Sequence, residues 1–454
     1  MHADIIRRDG KLELKNLSCD CSLSHQMPEM DIYIKPGLIN ECSTCLRSVD
    51  MGINVLIVAD SITLAVAAQT IKDNLEHDGF NCRLCVLPGS EIEPTPEMAD
   101  YITSYIDAET AFLLAVGSGV VTDLTRRSAF LNNLPFAVFG TAASMDGYTS
   151  ITSAMMIDGM KITVYGSSAR LLMFDSNILA AAPKLMQAAG LGDMVAKYNV
   201  LVDWKLGSVV TGEVFCPLCT QMVMRALERC QLAMDDILAS TQAGMEALIE
   251  ALILAGLTVL IVGNTRTVAS VEHNMSHFWE MRSLAYGTPS PSHGISVGIG
   301  LVYSLLFHSM LRDADLSKID KSAVKAARMT QEEKRKYLIE SFPPGVGEEI
   351  MSVNSDWYIS WEEQERRIDT LSDWHESYKE YSRILPDYRD IIRYLENFGA
   401  PTSATKAGIS REALKQTLLV TKDFRMRYSI SQALSELGLL ESCTDRILEM
   451  EDSL

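Results

Sequence analysis

Positive charge is what this 454-residue chain is short of: 40 Lys and Arg face 59 Asp and Glu, a net charge of -19. That balance repels a phosphate backbone and an anionic membrane surface, so nucleic-acid binding and membrane attachment are excluded as principal roles. A small anionic substrate stays compatible, because a metal and a few cations can dominate locally. Long apolar runs are scarce too. The most uniformly apolar stretch, residues 251–265, runs 15 residues without a charge, shorter than a bilayer span requires. Glu246 and Glu250 precede it, so it predicts a buried helix running into a loop. Residues 1–16 are charged and have no apolar core, so no signal peptide is expected and the expected location is the cytoplasm. Internal repeats and low-complexity tracts are also lacking.

Zinc-ribbon spacing is missing as well, although there are ten cysteines. They include three Cys-x-x-Cys pairs, Cys42/Cys45, Cys82/Cys85 and Cys216/Cys219. A ribbon wants two such pairs about 15 to 20 residues apart; the closest gap here is the 36 residues between Cys45 and Cys82. Cys82-Arg-Leu-Cys85 reads as strand, where positions three apart face opposite ways. Reduced, mostly buried thiols are the expectation. Cys19-x-Cys21 with His25 is a further possible ligand group.

The length suffices for two or three domains, each with its own core. Residues 54–175 alternate strand and helix signals. Val55-Leu56-Ile57-Val58-Ala59-Asp60 is an apolar run ending in a carboxylate, the pattern of a buried parallel strand. A helix over 61–77 and strands near 81–87, 111–116 and 136–139 follow, the alternation of a parallel α/β domain. After about Ser176 strand signals vanish and helical periodicity runs to the end. The expected division is an α/β domain over 1–177 and an all-helical domain over 178–454, with the residues beyond Arg312 completing the helical part.

Three of the eight histidines, His273, His277 and His293, fall within 21 residues. Neutral imidazoles at this spacing, with a carboxylate from elsewhere, suit a catalytic divalent metal. His273 and His277 are one helical turn apart and share a face. A remote carboxylate is available in Gly190-Leu191-Gly192-Asp193, which reads as a turn opening a helix. A set of three histidines without Asp193 is the lesser alternative that geometry leaves open. Gly117-Ser118-Gly119 sits between a strand and a helix, where glycines admit a pyrophosphate and the helix N-terminus supplies N–H groups. It lacks the full Gly-x-Gly-x-x-Gly fingerprint. Asp60, at the end of the first of these strands, could accept from a ribose 2′-hydroxyl and repel a 2′-phosphate, favouring NAD over NADP. The polar loop Thr141-Ala142-Ala143-Ser144-Met145-Asp146-Gly147-Tyr148 follows another strand end, where parallel sheets place ligands.

Taken jointly, these segments resemble the sn-glycerol-1-phosphate dehydrogenases, within the superfamily of dehydroquinate synthases and iron-containing alcohol dehydrogenases. The likeness is carried by Gly117-Ser118-Gly119 with Asp123, Ser144-Met145-Asp146-Gly147-Tyr148, Asp158-Gly159-Met160-Lys161, Ala182-Pro183-Lys184 through Gly192-Asp193, and Asp203-Trp204-Lys205. Glu272-His273, Ser276-His277-Phe278-Trp279-Glu280, His293-Gly294, Gly399-Ala400-Pro401-Thr402 and Arg427-Tyr428 extend it over nearly the whole chain. The resemblance implies a Rossmann-like N-terminal domain, a helical metal- and substrate-binding domain and a cleft between them. It implies metal ligation by Asp193, His273 and His293, with His277 as a proton-relay histidine. Gly117, Ser118, Gly119 and Asp123 would face the cofactor, Thr141 and Ser144 would touch it, and Asp146 would lie near the substrate.

The implied reaction is NAD(P)H-dependent reduction of dihydroxyacetone phosphate to sn-glycerol 1-phosphate, and its reverse, with one divalent metal (zinc, nickel or iron). Lys197, one turn after Asp193, would bind the phosphate. A homodimer is expected. The other readings are a glycerol or polyol dehydrogenase, a dehydroquinate-synthase-like cyclase and a non-catalytic homologue. Three departures from the family pattern, Ala143 for a usual Pro, Ala269-Ser270-Val271 for a Ser-Gly pair, and Asn274 for a common His, predict an altered fit near the metal helix.

Overall fold

The computed structural model describes residues 2–23, 25, 27–89, 92–157, 160–425 and 427–454. The chain forms two compact units, each built from two stretches of sequence. The first comprises Met1–Gly190 and Pro217–Asn264, and the second Leu191–Cys216 and Thr265–Leu454.

The first unit is organised on a sheet of eight strands, β1 (His2–Arg8), β2 (Lys11–Ser18), β3 (Asp31–Lys35), β4 (Asn54–Ala59), β5 (Asn81–Val86), β6 (Phe112–Gly117), β7 (Phe136–Gly140) and β10 (Leu171–Asp175). Their order is β1-β2-β3-β10-β7-β6-β4-β5. The run from β3 to β5 is parallel, and β1 and β2 add an antiparallel hairpin at one edge. The central strands β6, β7 and β10 are buried along their whole length, which is why they read as unbroken apolar runs. β8 (Thr152–Ile157) and β9 (Met160–Tyr165) pair as a separate hairpin. Asp158 and Gly159 of the motif quoted above lie outside the described residues.

Strand order fixes where a ligand can sit. From β4 the chain passes to β5 on one side, then crosses to β6 on the other, so the order reverses between β4 and β6. In open α/β sheets the crevice at the carboxyl ends of such a pair is the ligand site. β4 and β6 are in register as Val55↔Phe112 through Val58↔Ala115, and that register carries on to Asp60 beside Gly117. The helix expected over 61–77 forms, with a wider π-helical turn at Leu64–Ala68.

The helices within Pro217–Asn264 belong to the sheet unit, against the expected single cut. Counting the helices used below, α1 is Gly119–Leu131, α2 Lys184–Val195, α3 Lys197–Val210, α4 Pro217–Leu232 and α5 Gln242–Val262. Among these, α4 and α5 group with the sheet. Arg7 of β1 explains part of this, since its guanidinium reaches Glu246 at 2.6 Å and Glu250 at 3.2 Å on α5.

The second unit contains α3, α6 (Val271–Tyr286), α7 (His293–Asp313), α8 (Trp361–Tyr381) and the shorter helices to the C-terminus. α5 and α7 are long and apolar enough to cross a membrane, but 72% and 94% of their most apolar windows are buried inside the protein. They are core helices, as the apolar stretch at 251–265 predicted. One expectation fails. Gly190-Leu191-Gly192-Asp193 is no turn opening a helix but lies within α2, whose glycines are there for close packing.

Candidate functional site

In the second unit, glycine notches let backbones approach and so bring the histidines to the carboxylate. A Cβ on Gly192 would sit 2.4 Å from the Gly294 carbonyl oxygen, and Gly298 faces the same Gly192 at 3.4 Å. On the other side, a Cβ on Gly300 would fall 2.7 Å from the Glu272 carbonyl oxygen. With hydrogens in their place, the C-terminal part of α2, the start of α6 and the start of α7 converge. Asp193, His273 and His293 stand on those three segments.

Carboxylates and imidazoles meet where these segments converge, and the ligand atoms of His277, Glu280 and His293 lie within 4.8 Å of one another. Asp193 Oδ1 is 3.3 Å from His273 Nε2, and the His273 and His293 rings are 5.5 Å apart between centroids. Each imidazole is gripped at Nδ1 by a carboxylate. Glu272 holds His273 at 2.8 Å, and Glu280 holds His277 through one oxygen and His293 through the other, both at 3.0 Å. A carboxylate at Nδ1 makes that nitrogen the donor and leaves Nε2 as a lone-pair ligand, the arrangement metal-binding histidines need. Asp193, His273, His293 and His277 thus come together as expected. Glu272 and Glu280 received no role in the sequence reading. Their signals were available, as a carboxylate beside His273 and a His-x-x-Glu spacing that puts Glu280 on the face of His277.

Lys197 is fully buried, and its ammonium lies 2.6 Å from Asp193 Oδ1. Burial works against the ionised form of Asp193, but Lys197 and His273 outweigh it and hold the carboxyl far below its usual range. Burial likewise opposes a charge on His273, and Asp193 and Glu272 overcome it, raising the imidazole's pKa. Behind the ligands runs a buried polar chain. Asn199 donates to Glu272, its carbonyl oxygen lies 2.7 Å from His308 Nε2, and His308 Nδ1 is 2.8 Å from the Tyr378 hydroxyl on α8. Asp203 accepts from the Ser270 hydroxyl at 2.6 Å and from the Ile430 amide at 2.8 Å. Burial pushes Asp203 up to about 7 and His308 down to about 3.

In the first unit, the residues expected at a cofactor gather at the carboxyl ends of β4, β6 and β7. Gly117, Ser118 and Gly119 form the turn into α1, whose N-terminus has no side-chain cap. Its leading amides therefore face outward for an anion. The Thr141 amide donates to the Gly117 carbonyl at 3.0 Å, which sets the Thr141–Ser144 loop beside that turn. Asp60 caps the helix after β4 through Oδ1, accepting from Ile62 and Thr63. Asp123 points its carboxylate at Arg126, a fully buried guanidinium that also donates to the carbonyls of Gly147 at 2.8 Å and Tyr148 at 3.1 Å. Asp123 and Arg126 together hold the loop that carries Asp146. Arg126 was not singled out in the sequence; a lone arginine on an amphipathic helix gives no sign of burial.

Known proteins match on the same elements. Residues 33–183 match the family model described as iron-containing alcohol dehydrogenase. A glycerol-1-phosphate dehydrogenase [NAD(P)+] of Halalkalibacterium halodurans is 35% identical over 66% of this chain and 76% of its own length. One from Bacillus licheniformis is 28% identical over 93% of each chain. Among solved structures, a glycerol dehydrogenase from Schizosaccharomyces pombe superposes with a TM-score of 0.60 at 16% identity, over 96% of this chain and 94% of that one. The parallel sheet and helical unit are accordingly the fold of the iron-containing alcohol dehydrogenases, and the chain belongs to their glycerol-1-phosphate dehydrogenase family.

Proposed function

We propose that this protein reduces dihydroxyacetone phosphate to sn-glycerol 1-phosphate, and catalyses the reverse oxidation, with NAD(P)(H) and one divalent metal. The observation that carries the reading is the donor set: one buried carboxylate and imidazoles whose Nδ1 atoms are already committed to Glu272 and Glu280. Asp193, His273 and His293 would hold the cation, and zinc, nickel and iron all accept one carboxylate with two imidazoles. When bound, the cation supplies Lewis-acid polarisation of a substrate oxygen and the nicotinamide supplies the hydride.

The chain's own residues do the rest. Gly117, Ser118 and Gly119 present the α1 amides to the pyrophosphate, with Thr141 and Ser144 alongside. Asp60, at the β4/β6 reversal, would offer its second oxygen to a ribose hydroxyl, and exposed Ile62 and Val120 offer apolar surface nearby. Asp123 acts through Arg126, keeping Asp146 and its loop in place. His277, anchored at Nδ1 by Glu280, would in its doubly protonated form hold a proton on Nε2 for the substrate oxygen and return to the neutral ring on giving it up. Lys197 pairs with Asp193, and beside a bound cation its ammonium would add to the positive field that favours a phosphorylated substrate. A homodimer located in the cytoplasm completes the reading.

The test is NADH oxidation with dihydroxyacetone phosphate against dihydroxyacetone, alongside metal analysis. Asp193→Asn and His273→Ala are expected to abolish metal retention and turnover while NAD(H) affinity stays within a few-fold. Full activity in either variant refutes the assignment of the metal. Equal turnover of the two ketones refutes the phosphorylated substrate and favours a polyol dehydrogenase.

A further inference from the structure

The β2–β3 connection carries a second cluster of soft ligands, far in sequence from the histidines above. Cys19 follows the last residue of β2, and Cys21 and His25 come within the next six positions. Their ligand atoms all lie within 4.8 Å of one another, and Cys21 Sγ is 3.2 Å from His25 Nε2. Tetrahedral zinc holds sulfur at about 2.3 Å and nitrogen at about 2.0 Å, which sets its ligands about 3 to 4 Å apart. The observed spacing needs only small side-chain adjustment. The amides of Cys21 and Leu218 are directed at the Cys19 sulfur. N–H groups aimed at a thiolate are the supporting bonds that thiolate metal sites use.

Leu218 lies in the first turn of α4, inside the sequence Cys216-Pro217-Leu218-Cys219. Chain connectivity therefore brings a further cysteine to the group. The other Cys-x-x-Cys pairs have a different character. Cys42 and Cys45 belong to the apolar core of the first unit, and Cys82 and Cys85 occupy β5, where their positions point to opposite faces.

We propose that Cys19, Cys21 and His25, completed by one thiolate of the Cys216/Cys219 pair, form a structural zinc site tying the β2–β3 connection to the start of α4. Three thiolates and an imidazole are a soft set that selects zinc over magnesium or calcium. Four protein ligands leave no open position, so the site serves stability and not turnover. The residues from 19 to 30 contain no helix or strand among those described, and such a connection gains most from a cross-link. The inference is independent of the metal at Asp193.

The full-length protein, grown with zinc, is analysed for metal content beside the double variant C19S/C21S. One zinc equivalent per chain is expected to disappear in C19S/C21S and to persist in Asp193→Asn. After cobalt exchange, the parent and Asp193→Asn should show intense sulfur-to-cobalt charge-transfer absorption, which C19S/C21S should lack. Of C216S and C219S, one should abolish that band and the other keep it. An unchanged metal content and cobalt spectrum in C19S/C21S overturns the proposal, as does retention of the band in both single variants. Should C19S/C21S fail to fold, X-ray absorption of the parent still decides. Sulfur neighbours at about 2.3 Å support the site, and a shell of nitrogen and oxygen alone overturns it.

Discussion

Replacing Lys197 with Met tests the electrostatics of the candidate metal site, because that lysine is buried in an ion pair with Asp193. Its side chain is fully buried and that of Asp193 is 2% exposed, with 2.6 Å between ammonium and carboxylate. Breaking a buried pair by removing one member leaves an uncompensated charge and costs about 3–5 kcal/mol. For a unit of about 150–250 residues, about 2–4 °C of melting temperature accompanies each kcal/mol, so the metal-free variant should melt about 6–20 °C lower. A bound divalent cation changes the sign of the argument. It compensates Asp193 itself, and the ammonium beside it becomes a like charge. In the metal-loaded protein the Met variant should therefore match the parent to within a few degrees. The difference between the two states is linked to metal affinity, and about 3–5 kcal/mol corresponds to roughly a hundred- to a few-thousand-fold tighter binding in the variant. Calorimetric melting of chelator-stripped and zinc-loaded protein, with a competitive zinc titration, reads both numbers. An equal loss of melting temperature in both states, or unchanged zinc affinity, refutes the reasoning.

Three further outcomes follow from named contacts. Glu280→Ala removes the anchor of both His277 and His293 and should weaken metal affinity or activity by about 10–100-fold, measured by zinc titration and turnover; less than a two-fold change would show that the imidazoles orient without it. Gly300→Ala places a methyl 2.7 Å from the Glu272 carbonyl oxygen, and overpacking of this kind costs about 1–3 kcal/mol. Denaturant melts should show it together with weaker metal retention; a variant of parental stability would mean that α6 and α7 are not so closely apposed. Asp203 and His308 make a paired prediction about pH. Asp203 has its folded pKa raised to about 7 from 3.8, so its stabilisation is complete below about pH 4 and is lost as pH rises towards 7. His308 has its folded pKa lowered to about 3 from 6.5, so its contribution is present above about pH 6.5 and is lost as pH falls towards 3. Between about pH 4 and 6.5 the folded state holds one proton more at Asp203 and one fewer at His308, and their slopes cancel. Asp203→Asn should expose the histidine limb, losing stability on acidification at about 1.4 kcal/mol per pH unit relative to the parent. Urea unfolding across that window checks it, and a parental slope in the variant refutes the bookkeeping.

How much of this was legible in the sequence depends on whether the signal was local. β4, β6 and β7 announced themselves because strands buried on both faces must be apolar throughout. The β1–β2 hairpin also left a signal, in Lys11-Leu12-Glu13-Leu14-Lys15 alternating after Asp9-Gly10. Both turn residues have positive φ, 49° and 81°, as a two-residue hairpin turn requires. The grouping of α4 and α5 with the sheet had no local signature, since a helix apolar on every side, such as α5, packs equally well in either unit. At the site, residue types and spacing marked His273, His277 and His293, and family likeness supplied Asp193. Side-chain burial was the missing quantity. Lys197 one turn from Asp193 is visible in any helical reading, but whether its ammonium meets water or the carboxylate depends on α6 and α7, brought close by Gly294, Gly298 and Gly300 more than 90 residues on. The same holds for Glu272 and Glu280. A carboxylate near a histidine is unremarkable on a surface helix and becomes an orienting group only when tertiary packing excludes water from both.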